Sequence, residues 1–588
     1  MDKTIVNDKP QRDGWKALFR TIKKLRLPWL WIAVGLAVNI LLNSFLLDLP
    51  NMTADLLSGN LSGTTTTKAI FFYVEVGLLS LFAFAGQAQA QSYSVRKARE
   101  SIWRRMLGMK MDYFDRHDPS DLMSAITNDA SAAVTNFVNI ILYLIPDIYY
   151  VVAALLRINE YHWILALSCF AMLPLKYLYA LVMGKKMQTA SARVYGRIGV
   201  LTGYLADRIS HLPLIKTYTN EKAESANGEK AADGLYDANM KLVKLDNIST
   251  AIIAVLDILQ KFIVIVVAVI LLQRKEIDIA MWLAFFLFAQ NLFPNMDEIF
   301  SMWIKIKGMH GEFHRIIEIM AGDTESGEGA AFPAEGAAFP AEGDIRFENV
   351  TFSYPDTDSP AIENASFTVP RGSALAIVGL CGSGKTTSVS LLERFYTPDE
   401  GHVYIGDTDV SELSLYDFRS RLAYVQQGAD VFSGNLREAL TYGISREVSD
   451  EEIFAAAEKT GFSEYLALCG NDLSTEVAAG GQSMSGGQGQ RLVLTREVLR
   501  GGDIILMDEP TSALDVRVSA KIQDTIDELF DGKTRILITH DLDYARRYDR
   551  IIVMENGRIV GDGSHESLLR DCETYRAMNA HAGEEAAI

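Results

Sequence analysis

Six long apolar runs in the first half of the chain constrain its fold more than any other feature. They lie near residues 27–48, 69–92, 134–156, 162–183, 248–273 and 279–303. A helix crosses a bilayer with about 20 apolar residues, and the buried helices of a soluble protein do not require six runs of this length. We therefore predict an all-α domain of six transmembrane helices over residues 27–320.

Lysine and arginine are distributed unevenly around these runs. They cluster before the first run and after the second, fourth and sixth, whereas the loop over residues 49–68 contains only Lys68. Because cytoplasmic loops carry the excess of basic residues, we predict a multi-pass protein of the bacterial plasma membrane with both termini in the cytoplasm. The lipid bilayer is thus one expected partner. Residues 1–26 are predicted to form a cytoplasmic N-terminus whose amphipathic helix, from Trp15 to Arg26, lies on the membrane surface.

Two long polar stretches, residues 93–133 and 184–247, separate the second run from the third and the fourth from the fifth. They are too long and too helical in pattern to be simple turns. We predict that the membrane helices continue into water there and that each pair is joined at a short tip.

Charge and cysteine content exclude some classes of function. The chain has 588 residues and a net charge of −18 at pH 7. This charge argues against nucleic acid as a partner, because it implies no overall basic surface. The four cysteines have no paired spacing, which excludes a disulfide framework and a Cys-x-x-Cys metal site.

A change in composition separates the membrane domain from the rest of the chain. Residues 321–343 are rich in Gly, Ala, Glu and Pro and contain the heptad Gly-Ala-Ala-Phe-Pro-Ala-Glu twice, which predicts a low-complexity linker. Residues 344–588 then alternate short β-rich runs with helical stretches. This alternation predicts an α/β domain built on a largely parallel sheet.

A glycine-rich loop in this second domain indicates phosphate binding. The residues from Gly379 to Thr386 contain the pattern Gly-x-x-x-x-Gly-Lys-Thr, after an apolar strand and before a helical stretch. Glycines at 379, 382 and 384 let backbone N–H groups surround an anion. Lys385 is predicted to neutralise the β- and γ-phosphates of a nucleotide, and the Thr386 hydroxyl to bind Mg²⁺.

Two carboxylates close another predicted strand of this domain. Asp508 and Glu509 follow four apolar residues, at the end of a strand where a Mg²⁺ site belongs. Asp508 is predicted to support the metal, and Glu509 to polarise the attacking water. His540 follows a further apolar run and is a candidate to sense the γ-phosphate, with a purely structural role as the alternative.

A second glycine turn lies at Ser485, Gly486, Gly487 and Gln488, before a helical stretch. A glycine turn that opens a helix is again an anion-binding geometry. Two such turns of one chain do not easily meet on one γ-phosphate. We therefore expect a partner subunit to receive this second turn.

These motifs occur in an order that resembles the ATP-binding cassette of ABC transporters. The set comprises Tyr354 in Phe-Ser-Tyr-Pro, Gly379 to Thr386, Gln427 in Tyr-Val-Gln-Gln, Met484 to Gln488, Met507 to Pro510, Ser512 to Asp515 and Thr539 to Asp541. Together with the six preceding apolar runs, the whole chain is similar to an exporter-fold half-transporter, with an all-α transmembrane domain followed by an α/β P-loop domain.

The resemblance implies ATP and Mg²⁺ as cofactors. It implies that Tyr354 stacks on adenine, that Gln427 reads Mg²⁺ and the membrane domain, and that Glu509 and His540 are catalytic. The implied metal ligands are Thr386, Gln427 and Asp508. The implied nucleotide-binding residues are Tyr354, Gly379, Cys381, Gly382, Ser383, Gly384, Lys385, Thr386, Thr387 and Asp515, with Ser485, Gly486, Gly487 and Gln488 at the partner's site.

The chain departs from the family pattern at a few positions. Met484 stands where the family usually has Leu, and Ala478 and Ala479 stand where it usually has Gly-Glu. Cys381 occupies a loop position often held by a small polar residue, either as a tolerated small side chain or as a redox-sensitive thiol. The catalytic motifs are all present, so the chain is expected to hydrolyse ATP.

Polar residues within the apolar runs are the candidates for a cargo pathway, because intramembrane charge is costly. The candidates are Glu75, Asp147, Lys176, Asp257, Lys261, Gln290 and Asp297. Asp257 and Lys261 are four residues apart, so a local ion pair on one helix face is the alternative interpretation.

We therefore predict an ATP-driven membrane transporter of two chains, as a homodimer or a heterodimer with a second half-transporter. Export of a lipophilic, cationic or peptide-like compound is the first hypothesis. Import of a siderophore or metal chelate is the alternative within the class, and an ATP-gated channel or regulatory subunit is the alternative outside it.

Overall fold

The computed structural model describes residues 14–57, 63–325, 337–340, 343–355, 357, 359–426, 428, 431–478, 484–511 and 514–585. These residues form two compact units. The first comprises the described residues of Met1–Trp103 and Leu122–Ala321, and the second those of Arg104–Asp121 and Gly322–Ile588. Most of the predicted linker lies outside the described residues, so the predicted domain boundaries stay a prediction.

The part of the chain before residue 322 is helical. Its helices are α1 Gly14–Lys24, α2 Trp29–Leu57, α3 Gly63–Leu107, α4 Met111–Asp115, α5 Pro119–Ser124, α6 Ala130–Asn139, α7 Ile145–Tyr161, α8 Trp163–Ser168, α9 Leu173–Ser210, α10 Leu212–Thr217, α11 Glu221–Gln273, α12 Ile279–Glu312 and α13 His314–Ala321. Single π-helical turns, Ala125–Asp129 and Ile140–Leu144, join α5 to α6 and α6 to α7.

Within the described residues, six helical segments are long and apolar enough to cross a membrane. They are Trp29–Thr53, Thr67–Leu107, Asp121–Tyr161, Trp163–Ser210, Glu221–Gln273 and Ile279–Trp303. The prediction of a six-helix membrane domain is confirmed. As expected, α9 and α11 run well past their apolar portions, which gives the long polar extensions of the fourth and fifth segments.

The core of the membrane unit is formed by α2, α7, α8, α11 and α12. Large side chains such as Tyr150, Phe285 and Phe288 are almost fully buried there. Other large apolar side chains, including Leu81, Phe82 and Phe84 of α3, remain on the surface. An exposed apolar surface of this extent is typical of a protein that contacts lipid.

The N-terminal helix α1 is amphipathic, as predicted. Its apolar residues Leu18 and Ile22 are buried within the first unit, where α1 packs against α13. The Lys24 ammonium donates to the Met320 carbonyl oxygen at 3.3 Å. Phe19 stays exposed, so part of the apolar face remains open for the membrane surface.

The second unit contains the predicted sheet. Its strands are β1 Ile345–Phe352, β2 Ile362–Val369, β3 Ala374–Gly379, β4 Glu400–Ile405, β5 Thr408–Asp409, β6 Leu422–Val425, β7 Gly434–Asn435, β8 Glu476–Val477, β9 Ile504–Asp508, β10 Thr534–Ile538, β11 Arg550–Glu555 and β12 Arg558–Gly563. Its later helices are α14 Lys385–Leu392, α15 Leu415–Ser420, α16 Leu436–Thr441, α17 Asp450–Thr460, α18 Ser463–Leu468, α19 Gly486–Arg500, α20 Val516–Leu529, α21 Leu542–Ala545, α22 His565–Asp571 and α23 Glu573–Glu585.

The strands form three sheets. The largest has the order β12-β11-β3-β10-β9-β6, in which all neighbours are parallel except the edge pair β11 and β12. An antiparallel sheet has the order β2-β1-β4-β5, and β7 pairs with β8. The α/β class predicted for this domain is therefore confirmed.

Strand register brings distant sequence motifs to one edge of the large sheet. In the middle of the sheet, Ile538 of β10 lies opposite Ile377 of β3 on one side and Asp508 of β9 on the other. The next residues of these three strands enter the loops that hold the predicted site. In an open α/β sheet, ligands bind outside the carboxyl ends of the parallel strands.

The segment Arg104–Asp121 is grouped with this second unit through several contacts. Met109 forms an isolated bridge with Thr324, and the Glu325 N–H donates to the Gly108 carbonyl oxygen at 2.9 Å. Glu325 in turn accepts two hydrogen bonds from the Arg419 guanidinium, at 2.8 and 3.0 Å. Two separate stretches of chain are thus fastened to the same part of the unit.

Candidate nucleotide-binding site

The glycine-rich loop between β3 and α14 has the backbone conformation that its sequence predicts. Gly384 has φ +100°, and a Cβ added there would lie 2.5 Å from the Ala361 carbonyl oxygen. Gly382 has φ +77°, but a Cβ there would meet nothing within 4 Å. Close packing therefore requires a glycine at position 384. Gly382 lies beside open space into which a ligand can enter.

Two buried polar side chains of the loop fit a phosphate. The Lys385 ammonium donates to the carbonyl oxygens of Gly379 and Leu380, at 2.9 and 3.0 Å. Burial lowers the pKa of Lys385, and the negative charge of Glu509 partly offsets this effect. The buried Ser383 hydroxyl has no hydrogen-bond partner among the described residues. An unpaired buried hydroxyl is costly, and a phosphate oxygen would supply the missing partner.

The predicted metal ligands lie next to each other at the start of α14 and the end of β9. Asp508 is buried, and burial raises its pKa. The Thr386 hydroxyl lies beside the Asp508 carboxylate and acts to lower its pKa. A hydroxyl and a carboxylate are the oxygen ligands that Mg²⁺ prefers, so these two residues fit the metal. Gln427, the third predicted ligand, lies outside the described residues.

Glu509 and His540 are brought together by the neighbouring strands β9 and β10. The His540 Nδ1 lies 3.2 Å from a Glu509 carboxylate oxygen, and the Glu509 N–H donates to the Ile538 carbonyl oxygen at 2.9 Å. Glu509 has φ +46°, a left-handed conformation that is strained for a residue with a side chain. Residues held in such conformations cluster at functional sites. Their catalytic roles stay a prediction.

Tyr354 lies beside the same loop. Its hydroxyl is 3.2 Å from the Thr387 hydroxyl, and its ring packs edge-on against Phe352 and Tyr396 at centroid distances of 5.1 and 5.2 Å. The three rings form an aromatic cluster at one end of the site. Stacking of Tyr354 on adenine, which the resemblance implies, stays a prediction.

Sequence reasoning missed Tyr396. Its hydroxyl hydrogen-bonds to the Asp115 carboxylate of α4 at 2.7 Å, within the second unit. The ring therefore connects the aromatic cluster at the nucleotide site with the tip that follows α3. An aromatic pair directly after α14 was the available signal, but its partner in the sequence is 281 residues away.

Cys381 is exposed in the loop, as a free thiol. Neither interpretation of this residue gains support, because the Cys381 side chain has no hydrogen bond or ring contact among the described residues. Its role in binding the nucleotide stays a prediction.

The second glycine turn opens α19 as predicted. Ser485 and Gln488 form a reciprocal capping box, in which the Gln488 N–H donates to the Ser485 hydroxyl and the Ser485 N–H donates to the Gln488 side chain. Gly487 packs so closely on α20 that an added Cβ would lie 3.0 Å from Val518. Gly486 begins the helix. The free N–H groups of this turn are the type that binds anions.

Asp515 caps the N-terminus of α20, where its carboxylate accepts from the Arg517 and Val518 N–H groups at 3.1 Å. The second glycine turn and Asp515 are therefore neighbours through Gly487 and Val518. Within the described residues, no hydrogen bond or ion pair joins Ser485 or Gln488 to the glycine-rich loop. One chain thus carries two separate parts of a nucleotide site.

In the membrane unit, three of the seven pathway candidates form one cluster. The Lys176 ammonium of α9 lies 2.6 Å from Asp257 of α11 and 2.8 Å from Asp297 of α12. Within the described residues, no ion pair joins Asp257 to Lys261, so the local pair considered from their spacing is not formed. Asp257 pairs across helices instead.

Glu75, Asp147 and Gln290 are not part of this cluster, whereas Lys261 lies near enough to Asp297 for their charges to interact. Asp147 is buried in α7, whereas Glu75, Lys261 and Gln290 lie at exposed positions of α3, α11 and α12. The cluster itself contains both signs of charge. The structure therefore gives no continuous polar track through the described membrane helices.

Comparisons with known proteins agree with this geometry. A family model described as "ABC transporter transmembrane region" matches residues 32–296, and one described as "ABC transporter" matches residues 362–512. Together they cover both units and most of the apolar helices.

Two similar relatives are both described as an "ATP-dependent lipid A-core flippase". That of Thiobacillus denitrificans is 27% identical over 86% of this chain and 87% of its own length. That of Escherichia coli K12 is 25% identical over 96% of this chain and 97% of its own length.

A solved structure of a bacterial Atm1-family ABC exporter with ATP bound has the same fold. Its TM-score is 0.78 at 22% sequence identity, over 97% of this chain and 98% of that one. The order of the motifs, the six apolar helices and these matches lead to one conclusion. The chain belongs to the ABC transporters and has the architecture of an exporter-fold half-transporter.

Proposed function

We propose that this chain hydrolyses ATP at the edge of its large sheet and that hydrolysis drives movement of a lipophilic compound across the membrane. The observation that carries the proposal is the assembly of Lys385, Thr386, Asp508, Glu509 and His540 at the carboxyl ends of three adjacent strands. The same chain carries six apolar helices, so ATP hydrolysis and a route through the membrane are linked covalently.

Each residue of the site has a role that its surroundings support. Lys385 would exchange its backbone carbonyl partners for phosphate oxygens, and Ser383 would donate to the same group. The Glu509 carboxylate would take a proton from the attacking water, and His540 would hold the terminal phosphate in line. Thr386 and Asp508 would hold Mg²⁺, which neutralises charge on the phosphates when it is bound.

We further propose that a second half-transporter chain completes each site. The Gly486 and Gly487 N–H groups at the start of α19 are not used by the capping box. Within the described part of the chain, Ser485 and Gln488 make no hydrogen bond to their own glycine-rich loop. A symmetric pair of chains would let each turn face the partner's phosphate. A homodimer would have two equal sites, and a heterodimer two unlike ones.

The cargo proposal rests on the relatives and on the charges of the membrane unit. Both named relatives are described as lipid flippases. The three-residue cluster at Lys176 balances most of its own charge, so it does not favour a cationic cargo. We therefore propose a lipophilic compound. The proposed orientation, with both termini and the ATP site in the cytoplasm of a bacterial cell, is supported by the basic residues that flank the apolar runs.

A complementation experiment tests the shared site. Glu509→Gln removes the proposed base from one chain, and Ser485→Arg blocks the turn that reaches the partner. Each variant alone should be inactive in lipid nanodiscs, whereas the mixed dimer retains one intact site and should hydrolyse ATP. Activity of the Ser485→Arg chain alone would contradict a site shared between chains.

The cargo is tested by titration of the unmodified chain. ATPase activity in nanodiscs is measured with lipids, lipophilic cations, peptides and iron–siderophore complexes. Stimulation by a lipid-like compound alone supports the proposal. Stimulation by the siderophore complex would replace export of a lipophilic compound with the import hypothesis.

A further inference from the structure

A cavity of about 590 Å³ opens between α9 and α11 in the first unit. Its walls come from residues 185–193 of α9 and residues 238–248 of α11. Pockets that hold small ligands measure about 300–1,000 Å³. The space is therefore large enough for a ligand, and it is remote in sequence from the nucleotide site.

The cavity is strongly basic. Half of its lining residues are cations, namely Lys185, Lys186, Arg193, Lys241 and Lys244. None of these five forms an ion pair within the described part of the chain, and no carboxylate is among the described lining residues. Five unpaired like charges around one space repel each other. An anion in the cavity would relieve this repulsion.

The position of the cavity along its helices matches the surface of a membrane. The apolar portions of the fourth and fifth segments end near residue 183 and begin near residue 248. With a rise of about 1.5 Å per residue, Lys185 and Lys244 lie roughly 3–6 Å beyond these ends. The headgroup layer on each side of a bilayer is about 5–8 Å thick. The cations nearest the apolar segments therefore lie at the depth of lipid phosphates.

Part of the cavity wall is not polar. Ala190, Ala238, Leu245 and Ile248 line the cavity between the basic side chains. The two alanines leave room between the helices because they have only a methyl group. Leu245 and Ile248 provide an apolar surface at the end that faces the membrane. A soluble anion gains nothing from this surface, whereas the first carbons of an acyl chain would pack against it.

We propose that this basic cavity binds the phosphate headgroup of an anionic membrane lipid. Lys185, Lys186 and Lys244, the cations nearest the apolar segments, contact the phosphate, and Leu245 and Ile248 contact the glycerol and upper acyl region. The site is separate from the nucleotide site and does not depend on which cargo is moved. The bound lipid bridges α9 and α11, so it would hold these two helices together.

The test measures binding of phosphatidylglycerol to the full chain by native mass spectrometry, with phosphatidylcholine as the neutral reference. A Lys185→Gln/Lys244→Gln double variant removes one cation from each helix. A lysine near an anionic surface contributes about 1 kcal/mol, which is about fivefold in affinity. The first phosphatidylglycerol should therefore bind about 30-fold more weakly, because the two losses multiply.

A matched control separates the cavity from general surface charge. Lys222→Gln/Lys230→Gln removes two exposed lysines from α11 that do not line the cavity. This variant should bind the lipid within about twofold of the unmodified chain. An equal loss in both double variants, or no loss in the cavity variant, would overturn the proposal.

A third variant keeps every charge and fills the space instead. Ala238→Trp should abolish the tight phosphatidylglycerol site, with folding checked by size-exclusion chromatography and ATP binding. Inorganic pyrophosphate is the soluble probe. If pyrophosphate displaces phosphatidylglycerol at equal concentration, or if Ala238→Trp binds the lipid normally, a lipid headgroup is not the ligand of this cavity.

Discussion

The two units of the molecule differ in the partners that they provide for a lysine within the fold. In the nucleotide-binding unit, Lys385 is buried, and within the described residues it forms no ion pair and donates to backbone carbonyls. In the membrane unit, Lys176 lies between two carboxylates at 2.6 and 2.8 Å. The positive charge of Lys385 is therefore available to a ligand, whereas the two carboxylates neutralise the charge of Lys176 within the fold.

This difference distinguishes a binding site from a structural cluster. Burying a charge is unfavourable unless a partner compensates it. Where the fold itself supplies the partners, as at Lys176, the group needs no ligand. Where the fold leaves them out, as at Lys385 and Ser383, a ligand of opposite charge or hydrogen-bonding capacity supplies them. The basic cavity between α9 and α11 also lacks carboxylate partners among the described residues, but its five cations are exposed, so they do not carry the cost of a buried charge.

The largest expected effect is on catalysis at the open site. Glu509→Gln should reduce ATPase activity about 10²- to 10⁴-fold, because it removes the proposed general base. ATP binding should persist, since Lys385 and the glycine-rich loop are unchanged. The measurement is phosphate release by the full chain in nanodiscs. Glu528→Gln, at an exposed position of α20, is the control, and an equal loss in both variants would count against the assignment.

The next largest effect is on stability at the closed cluster. Lys176→Met leaves Asp257 and Asp297 without their cation and should cost up to about 3 kcal/mol of unfolding free energy. Thermal unfolding of the full chain in nanodiscs measures this loss. Adding Asp257→Asn and Asp297→Asn to the Lys176→Met chain should restore much of the stability. If instead Lys176→Met is stable but loses cargo-stimulated ATPase, the cluster is part of the pathway and the comparison fails.

Lys305→Met is the matched control for that experiment. Lys305 and Glu298 lie 3.9 Å apart, and both side chains are more than 40% exposed. An exposed pair contributes about 0–1 kcal/mol, so the unfolding midpoint of this variant should change little.

The buried carboxyl of Glu393 predicts a smaller effect on stability, and this effect depends on pH. Burial raises the pKa of Glu393 to about 8, so the folded chain keeps this carboxyl protonated where the unfolded chain has released the proton. Its contribution to stability is therefore greatest below about pH 4.5 and is lost as pH rises to about 8. Between pH 6 and 8, unfolding free energy should fall by about 1–2 kcal/mol more in the unmodified chain than in Glu393→Gln. Parallel slopes for the two chains would refute this assignment.

The smallest effect is expected at the exposed hydrogen bond between the Tyr396 hydroxyl and the Asp115 carboxylate. Tyr396→Phe removes the hydrogen bond to Asp115 and should cost about 0.5–1.5 kcal/mol in the stability of the second unit. Tyr416→Phe, at a side chain that is 67% exposed, serves as the reference. Thermal unfolding of the two variants side by side makes the comparison, and identical midpoints would show that the contact contributes nothing.

Sequence reasoning selected candidate site residues that lie at one edge of the sheet, and a rule about parallel sheets explains why. The glycine-rich loop, Asp508 and His540 are far apart in the chain, but each follows a strand, and parallel strands deliver their carboxyl ends to one edge. Local patterns therefore located each residue without knowledge of any long-range contact. The same patterns gave no information about the contact of Tyr396 with Asp115, because these two residues are 281 positions apart in the sequence.

In the membrane unit, the number of spanning helices was predictable from the sequence, but the contacts between their side chains were not. Hydrophobic length identified six spanning helices, because each must satisfy the bilayer by itself. The partners of Lys176 were not predictable, since the apolar faces of these helices do not fix their rotation about their own axes. The basic cavity was also missed. Lys185, Lys186 and Arg193 were used only as charges that flank the fourth apolar run, and the sequence does not show that α9 and α11 enclose one space there.

The grouping of Arg104–Asp121 with the second unit has a practical consequence for expression. A gene fragment that starts at residue 344 would encode every motif of the nucleotide site, but it would lack the chain that contacts Tyr396 and Arg419. Such a fragment would leave the Tyr396 hydroxyl without the Asp115 carboxylate and the Arg419 guanidinium without the Glu325 carboxylate. We expect it to be less soluble than the intact chain, and a synthetic peptide spanning residues 104–121 to improve its recovery when added during purification.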